Sequence, residues 1–304
     1  MLRSCKTSQF KLRGFFIFPL LLIFFSCASV SPVDSARERA AHFLAVGAVE
    51  PAWQAFADGV GYFHGKTAEP GLEFWALRID LSAPQTRIVV RDGASDGGRT
   101  LSTKVPGFVR DNSLVAGINA VPFDISSSKE GQPIKNMGVV ISGGKLLAPV
   151  NPRYDALVFY SGGGAAVVSQ SSIRSAENIE NAVGAFHHIL VNGEPAPRTI
   201  NRERRYPRSA AGISADSGYL YLLVIDGSRP GSIGATEKET AMLLLSLGSK
   251  EGINLDGGGS SALALRFPDG NVRVVNNPAH AGIPGLQRAV AGCLGVAVSP
   301  STEK

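Results

Sequence analysis

The chain is short of cysteine, of charged residues and of long apolar runs. Three cysteines occur in 304 residues, and no Cys and His spacing matches a zinc site. Charged residues make up 18% and apolar residues 44%, which excludes a disordered chain and fits a globular protein with a sizeable core. The apolar run from Phe15 to Phe25 has 11 residues, too few to span a bilayer comfortably. The sequence shows no internal repeat and no second domain boundary.

The short apolar run is typical of the core of a signal peptide. Four basic residues and no acidic residue precede it, and Cys27 follows it after one serine. A cysteine at this place is typical of a bacterial lipoprotein cleavage site, although Phe24 stands where Leu is usual. We predict a signal peptide over residues 1–26, lipidation of Cys27 and a lipid-anchored protein of the bacterial cell envelope, periplasmic or at the surface. Secretion is the alternative if Cys27 carries no lipid.

Removal of the signal peptide also removes most of the positive charge. The chain has 30 basic and 25 acidic residues, and losing four basic residues leaves a net charge of about +1. The charge therefore gives no reason to expect a nucleic-acid partner. If Cys27 is lipidated, Cys293 has no cysteine to pair with, so the predicted mature chain has no internal disulfide.

Strand patterns dominate the part of the chain after the predicted tether. Residues 27–58 are expected to form a tether and a helix, with helix-forming residues from Ala36 to Val46. Residues 59–300 are expected to form one domain, in which apolar alternation and Gly-rich turns predict several hairpins. A helix is expected at Ser175 to Ala182. The adjacent His187 and His188 lie in a strand pattern, so they face opposite ways and cannot both bind one metal ion.

A strand, a helix and another strand follow each other near the C-terminus. Tyr219 to Ile225 predicts a strand that ends at Asp226, and Thr236 with Glu239 forms a capping box that starts a helix. The next strand ends at Asp256. If the two strands are parallel, Asp226 and Asp256 lie at the same sheet edge, where open α/β sheets bind ligands. The sequence predicts an α+β or α/β fold: a single domain with a mixed, strand-rich sheet and a C-terminal βαβ unit.

Two stretches carry candidate binding groups. Asp256 is followed by three glycines and two serines, so a carboxylate and several backbone N–H groups are expected at one place. A tight turn between two strands would explain the same residues. Four arginines occur between Arg202 and Arg208, and they fit either a solvated basic loop or phosphate recognition by guanidinium groups.

Five motifs occur in order over about residues 205–298. They are Tyr206-Pro-Arg-Ser-Ala-Ala-Gly-Ile-Ser, Leu220-Tyr-Leu-Leu-Val-Ile-Asp-Gly, Thr236-x-x-Glu-x-Ala, Ile253-Asn-Leu-Asp-Gly-Gly-Gly-Ser-Ser and Arg288-Ala-Val-Ala-x-x-Leu-Gly-Val. Together they resemble the phosphodiester glycosidase family, which includes the mannose-6-phosphate uncovering enzyme, an N-acetylglucosamine-1-phosphodiester α-N-acetylglucosaminidase. Weaker similarity extends back to about residue 59. Two departures occur: Ala120 and Val121 replace two glycines after Asn119, and Ser209 stands where Thr is usual.

The resemblance implies hydrolysis of a sugar-1-phosphodiester, such as a GlcNAc-1-phosphodiester in envelope or exopolysaccharide glycans, at the anomeric C–O bond. We expect no cofactor, and the need for a divalent cation stays open. A phosphomonoester is a good leaving group, so charge stabilisation should matter more than general-acid help. The catalytic candidates are Asp256, Asp226 and Arg208, with Arg208 on the phosphate and the two acids on the sugar. The substrate-binding candidates are Asn119, Ser209, Gly257, Gly258 and Ser260.

Two alternatives remain at this point. The first is an inactive glycan-binding lipoprotein of the same fold, which the altered loop from Asn119 to Phe123 favours. The second is a metal-dependent phosphodiesterase that cuts the P–O bond, with Asp226 and Asp256 as ligands of a divalent cation.

Overall fold

A computed structural model describes residues 51–67, 70–124, 129–199 and 202–299. All of them belong to one compact unit, residues 32–304. The predicted signal peptide, the lipidation site Cys27 and the predicted helix from Ala36 to Val46 lie outside the described residues. No helix in the described ranges is long and apolar enough to cross a membrane.

The described residues form mainly strands, with two α-helices, α1 (Val105–Asp111) and α2 (Glu237–Leu247). The strands are β1 (Gln54–Ala57), β2 (Val60–Thr67), β3 (Leu72–Asp80), β4 (Thr86–Val90), β5 (Ala94–Ser95), β6 (Arg99–Leu101), β7 (Ala116–Asn119), β8 (Pro133–Lys135), β9 (Val140–Ser142), β10 (Lys145–Ala148), β11 (Asp155–Tyr160), β12 (Ala165–Ser169), β13 (Ile179–Ala185), β14 (His187–Val191), β15 (Glu194–Pro195), β16 (Arg208–Ile213), β17 (Tyr219–Ile225), β18 (Glu251–Asn254), β19 (Leu263–Arg266), β20 (Val272–Val274) and β21 (Cys293–Val298).

These strands form four sheets. The largest has the order β1-β2-β3-β17-β16-β18-β14-β15, and two five-stranded sheets have the orders β10-β9-β13-β11-β12 and β20-β19-β7-β21-β4. Strands β5, β6 and β8 form a small fourth sheet. Every pairing of named strands in the described ranges is antiparallel. The described part of the chain is mostly β, which is broadly compatible with the predicted α+β class. Its neighbouring strands all run antiparallel, so the predicted mixed sheet is not seen in these residues.

Strands β17 and β18 nevertheless run in the same direction. Strand β16 lies between them and pairs antiparallel with both, so the unit is a βαβ crossover split by one strand. Helix α2 connects the two strands. Its start is fixed by the predicted capping box, in which the Thr236 side chain accepts from the Glu239 N–H and the Glu239 carboxylate accepts from the Thr236 N–H. Its end is fixed by Gly248 at a φ of 115°, which glycine adopts without strain.

The centre of the large sheet is buried on both faces. Along β17, Leu220, Leu222 and Val224 face the main core, which is shared with the other sheets, whereas Leu223 and Ile225 face the core formed with α2. This explains the near-continuous apolar sequence of the strand, because alternate side chains enter two different cores. The charged residues Arg208 and Asp226 lie at the end of this part of the sheet, at the start of β16 and after β17.

Two predicted boundaries differ from the structure. The helix expected at Ser175 to Ala182 is wrong, because β13 starts at Ile179 and pairs with β11 on one side and β9 on the other. The gain from burying alternate apolar side chains between two neighbours exceeds the weak local helix preference. Strand β1 lies inside the segment expected to be a tether, so the sheet begins before residue 59.

Candidate active site

The two predicted acids lie at one rim of the large sheet. Strand β16 begins at this rim, where Arg208 pairs with Ile225 and Ala210 pairs with Asn254. Asp226 directly follows β17, and Asp256 follows β18 by one residue. The split crossover therefore brings Arg208, Asp226 and Asp256 to a common edge, as the sequence predicted from two strands of the same direction.

The Gly-rich bend after β18 is held against the start of β16. The Asp256 N–H donates to the Ala120 carbonyl at 2.9 Å, and the Gly258 N–H donates to the Pro207 carbonyl at 2.8 Å. Gly258 has a φ of 61°, and a Cβ on Gly257 would lie 3.1 Å from the same Pro207 carbonyl. Glycine thus permits both the turn and the close approach. The Gly258 N–H is used inside the protein, which corrects the expectation that it faces a ligand.

Asp256 has an oxygen without a partner. Its Oδ2 atom is buried and makes no hydrogen bond within the described part of the chain. Burial raises the pKa of Asp256 to about 6, although a hydrogen bond with Ser260, the charge of Arg288 and the Gly257 N–H lower it. A buried carboxylate oxygen without a partner is uncommon in native structures, and together with the raised pKa it makes Asp256 a candidate for a catalytic role.

Arg288 and His280 stand beside this bend and were not among the predicted site residues. Arg288 Nε donates to His280 Nδ1 at 3.1 Å, and its Nη1 lies 3.4 Å from Ser260 Oγ. A Cβ on Gly259 would come within 2.9 Å of His280 Nδ1 and 3.1 Å of Arg288 Nη2, so the absence of a side chain admits both groups. Burial, followed by the charge of Arg288, lowers the pKa of His280.

Arg288 is more exposed to solvent than Arg208, the predicted phosphate ligand. No carboxylate of the described residues lies within 4.0 Å of its guanidinium, and its side chain is only partly buried. Its position in the fifth family motif is the signal that could have identified it. His280 lies outside those motifs, and the sequence gives no comparable signal for it.

Arg208 faces the other way, towards the start of α2. Its Nε donates to the Ala235 carbonyl at 2.9 Å, its Nη2 to the Arg204 carbonyl at 3.2 Å, and its Nη1 lies 3.8 Å from Glu237 Oε1. The side chain is 8% exposed. Contact of Arg208 with a phosphate stays a prediction, and the structure shows most of its guanidinium engaged by the protein.

Two other arginines of the basic segment form ion pairs with α2. Arg202 binds Glu237 at 3.2 Å, and Arg205 binds the Glu239 carboxylate through both terminal nitrogens. Both acids belong to the first turn of α2, where negative charge also favours the helix dipole. The helix that the basic segment borders thus supplies carboxylate partners to Arg202 and Arg205.

Asn119 and Ser209 lie beneath the bend and support it. The Ser209 hydroxyl donates to Asn119 Oδ1 at 2.7 Å, the Ala262 N–H donates to the same oxygen at 3.1 Å, and Asn119 Nδ2 donates to the Asp256 carbonyl at 2.6 Å. Neither side chain is exposed to solvent. In this structure they position the Asp256 backbone; direct substrate contact stays a prediction.

Asp226 is 1% exposed and is surrounded by donors. Its carboxylate accepts from Arg229 Nε at 2.9 Å, from Asn276 Nδ2 at 3.0 Å and from the Asn277 N–H at 3.1 Å. Asn276 also donates to the Ser261 carbonyl at 3.1 Å, which links Asp226 to the Gly-rich bend. Burial raises the pKa of the Asp226 carboxyl above its usual range, although Asn276 and Arg229 lower it.

Asp226 therefore anchors the segment that leads to His280 and Arg288. The anchor is reinforced from β3, because Glu73 binds Arg229 Nη2 at 2.6 Å. A direct role of Asp226 in the reaction stays a prediction. What the geometry shows is a buried carboxylate that fixes Asn276 and Asn277 against the rim.

We expect Asp226→Ala to lower the free energy of unfolding by about 3–5 kcal/mol, because it leaves Arg229, Asn276 and the Asn277 N–H without their acceptor. Chemical denaturation followed by circular dichroism measures this change. Asp58→Ala, at an exposed acid, should change the free energy of unfolding by less than about 0.5 kcal/mol. Equal stability of the two variants would contradict the anchoring role.

The two adjacent histidines have separate surroundings. His187 Nε2 lies 3.1 Å from Glu237 Oε2, and His188 Nδ1 lies 3.4 Å from Asp155 Oδ2. The part of the chain with described coordinates contains no group of three or more His, Cys, Asp or Glu side chains that could hold a metal ion.

Comparisons with known proteins give the family of the chain. A family model described as phosphodiester glycosidase matches residues 112–297, which include Arg208, Asp226, Asp256 and Arg288. A search of curated proteins found no match.

Two solved structures are similar to the chain. The catalytic domain of zebrafish N-acetylglucosamine-1-phosphodiester alpha-N-acetylglucosaminidase, auto-inhibited by its pro-peptide, has a TM-score of 0.59 and 20% identity, and the match covers 84% of this chain and 91% of that one. A hypothetical protein from Synechocystis has a TM-score of 0.55 and 15% identity, over 83% of this chain and 65% of that one. At these identities the two structures show a shared fold. The family match over residues 112–297 shows that this chain belongs to the phosphodiester glycosidase family.

Proposed function

We propose that the protein hydrolyses the anomeric C–O bond of a sugar-1-phosphodiester, for example a GlcNAc-1-phosphodiester of an envelope or exopolysaccharide glycan. The observation that carries the proposal is the placement of Asp256 and Arg288 beside Ser260 at the Gly-rich bend. Among the described residues, one buried oxygen of the Asp256 carboxylate has no hydrogen-bond partner and the Arg288 guanidinium has no carboxylate partner. The first suits a developing positive charge on a sugar ring, and the second suits a phosphate.

In the proposed reaction the phosphate lies against Arg288 and the anomeric carbon lies near Asp256 Oδ2. The C–O bond breaks, its electron pair stays on the phosphomonoester oxygen, and water adds to the anomeric carbon. The Asp256 carboxylate either stabilises the oxocarbenium-like centre or takes the proton of the attacking water. Ser260, which contacts both groups, holds the acid and the cation in register.

The structure favours Arg288 over Arg208 as the phosphate ligand. The Arg208 guanidinium is turned to Ala235, Arg204 and Glu237, whereas Arg288 stands at the bend beside Asp256. A guanidinium whose N–H groups are not bound to protein carbonyls or to a carboxylate can donate them to a phosphate.

The metal-dependent alternative needs Asp226 as a cation ligand. That carboxylate already accepts from Arg229, Asn276 and Asn277, and binding a cation would require it to release these donors. The predicted lipid anchor at Cys27, the membrane association and the envelope location remain proposals that rest on the N-terminal sequence.

The test is hydrolysis of GlcNAc-1-phosphate methyl ester in water enriched in ¹⁸O. We expect GlcNAc and unlabelled methyl phosphate, because attack at carbon leaves all phosphate oxygens in place. Mass spectrometry of the methyl phosphate reads the result. Label in the phosphate product, or release of GlcNAc-1-phosphate with loss of activity in EDTA, would select P–O cleavage. Saturable binding of the ester without turnover would select the inactive glycan-binding protein.

A further inference from the structure

A pocket lies at the rim of the large sheet opposite to Asp226 and Asp256. Tyr219 is the first residue of β17 and lines this pocket, whereas Asp226 follows the last residue of the same strand, roughly 20 Å away along it. The pocket has a volume of about 270 Å³. Its chemically distinctive lining residues are Trp53, Gln54, Arg78, Asp80 and Tyr219.

Arg78 lies over two aromatic rings and has no anionic partner among the described residues. Its guanidinium carbon is 5.2 Å from the ring centroid of Trp53 and 5.2 Å from that of Tyr219. Within the described ranges its side chain makes no ion pair or hydrogen bond, unlike Arg202, Arg205 and Arg229. Contact with the ring faces orients the guanidinium plane and leaves its N–H groups available for an oxyanion.

Asp80 supplies an acceptor in the same pocket. Its Oδ1 accepts from the N–H of Ser82 at 2.8 Å and from the Ser82 hydroxyl at 2.6 Å, which fixes the carboxylate at the turn after β3. Its Oδ2 has no hydrogen-bond partner among the described residues and can accept from a ligand hydroxyl. The exposed Gln54 adds an amide that can donate and accept. The lining thus combines an oxyanion donor, a hydroxyl acceptor and aromatic surface.

We propose that this pocket binds an acidic saccharide, a sugar ring that carries a phosphate or carboxylate group. Arg78 binds the oxyanion, and Asp80 accepts a hydrogen bond from a ring hydroxyl. The negative charge of Asp80 disfavours a simple inorganic anion, and the fixed cation disfavours a neutral sugar, so the two together select a ligand with both features. The volume is just below the range of about 300–1,000 Å³ of larger ligand sites, which suits one sugar unit.

The two tryptophans of the chain allow a test at this site alone. Trp53 and Trp75 give two indole N–H signals in a proton–nitrogen correlation spectrum, and Trp53→Phe assigns them. We expect glucose 6-phosphate and glucuronate to shift the Trp53 signal saturably, at concentrations about tenfold lower than glucose or inorganic phosphate. Arg78→Met should abolish the shift, and Arg87→Met, at an exposed arginine of β4, should keep it.

Each other outcome overturns the inference. A Trp53 signal that neither acidic sugar moves, or that moves equally in Arg78→Met, means that Arg78 forms no site. A shift with inorganic phosphate at the same concentration as with glucose 6-phosphate means a plain anion site, and an equal shift with glucose means that the charge is not recognised. The measurement does not depend on turnover, so failure of the proposed hydrolase leaves it readable. Asp256→Asn should leave the titration unchanged.

Discussion

Asp256→Asn is expected to lower kcat for a sugar-1-phosphodiester by about 10³-fold while the folded protein becomes more stable at neutral pH. Loss of the carboxylate removes the group that we propose acts at the anomeric carbon, and such acid–base and electrostatic contributions are typically about 10²–10⁴-fold. The substitution is nearly isosteric, so the backbone bonds of the bend with Ala120 and Asn119 can persist. Steady-state kinetics on the GlcNAc-1-phosphate methyl ester measures the loss.

The stability change follows from the direction of the pKa shift. Burial raises the pKa of Asp256 from 3.8 to about 6, so folding favours the protonated carboxyl. The stability that this group gives is complete below its unfolded pKa, near 4, and is lost as the pH rises through about 6. Asparagine is uncharged at every pH, so Asp256→Asn should be more stable than wild type above pH 6, by up to about 3 kcal/mol.

Thermal unfolding at pH 4 and pH 8 checks the sign of this change. The gain in Tm should be near zero at pH 4 and several degrees at pH 8. Asp269→Asn, at an exposed acid of the hairpin formed by β19 and β20, should change neither kcat nor Tm by a comparable amount. If Asp256→Asn is inactive and also less stable than wild type at pH 8, damage to the fold would explain the lost activity.

The wild-type pH profile is part of the same expectation. If the ionised Asp256 is the active form, kcat/KM should rise through about pH 6, and Asp256→Asn should lack this limb in its residual activity. If the wild-type kcat/KM instead falls as the pH rises through about 6, the protonated carboxyl is the active form.

Arg288→Met is expected to lower kcat/KM for the phosphodiester by about 10²–10³-fold, with a smaller effect on stability. Removing one donor that stabilises a developing charge typically has this size. Arg288 makes bonds to His280 and Ser260 and is partly exposed, so methionine retains much of its packing.

Arg208→Met is the matched control variant. It should lower stability more than Arg288→Met does and lower kcat/KM less. It leaves the Ala235 and Arg204 carbonyls without a donor and takes a positive charge from Glu237, so it should lower the free energy of unfolding by about 2–3 kcal/mol. For the folded fraction, kcat/KM should fall less than tenfold. If Arg208→Met instead raises KM strongly and keeps wild-type stability, the phosphate ligand is Arg208, as the sequence suggested.

The sequence alone does not distinguish Arg208 from Arg288 as the phosphate ligand. Both residues belong to family motifs, and either guanidinium suits a phosphate. The sequence could not say that the first turn of α2 carries Glu237 into the neighbourhood of Arg208, because that contact depends on how the helix lies on the sheet. It also could not place His280 beside Arg288, since this pair meets only through the packing of an irregular segment against Gly259.

The sequence by itself determined the features that depend on local chemistry. The capping box of Thr236 and Glu239, the end of α2 at Gly248 and the two strands that end before Asp226 and Asp256 follow from patterns within a few residues of each other. Such patterns act through bonds between near neighbours in the chain, so they can be read before the fold is known.

Only the tertiary structure decided what each polar group of the rim faces. Insertion of β16 between β17 and β18 turned an expected parallel pair into an antiparallel sheet, yet kept both acids at one edge. Arg229, Asn276 and Asn277 from other segments donate to Asp226, whereas Asp256 Oδ2 has no partner among the described residues. The physical reason is that burial and hydrogen-bond partners come from segments far apart in the chain, and these settle whether a carboxylate supports the fold or stays available for chemistry.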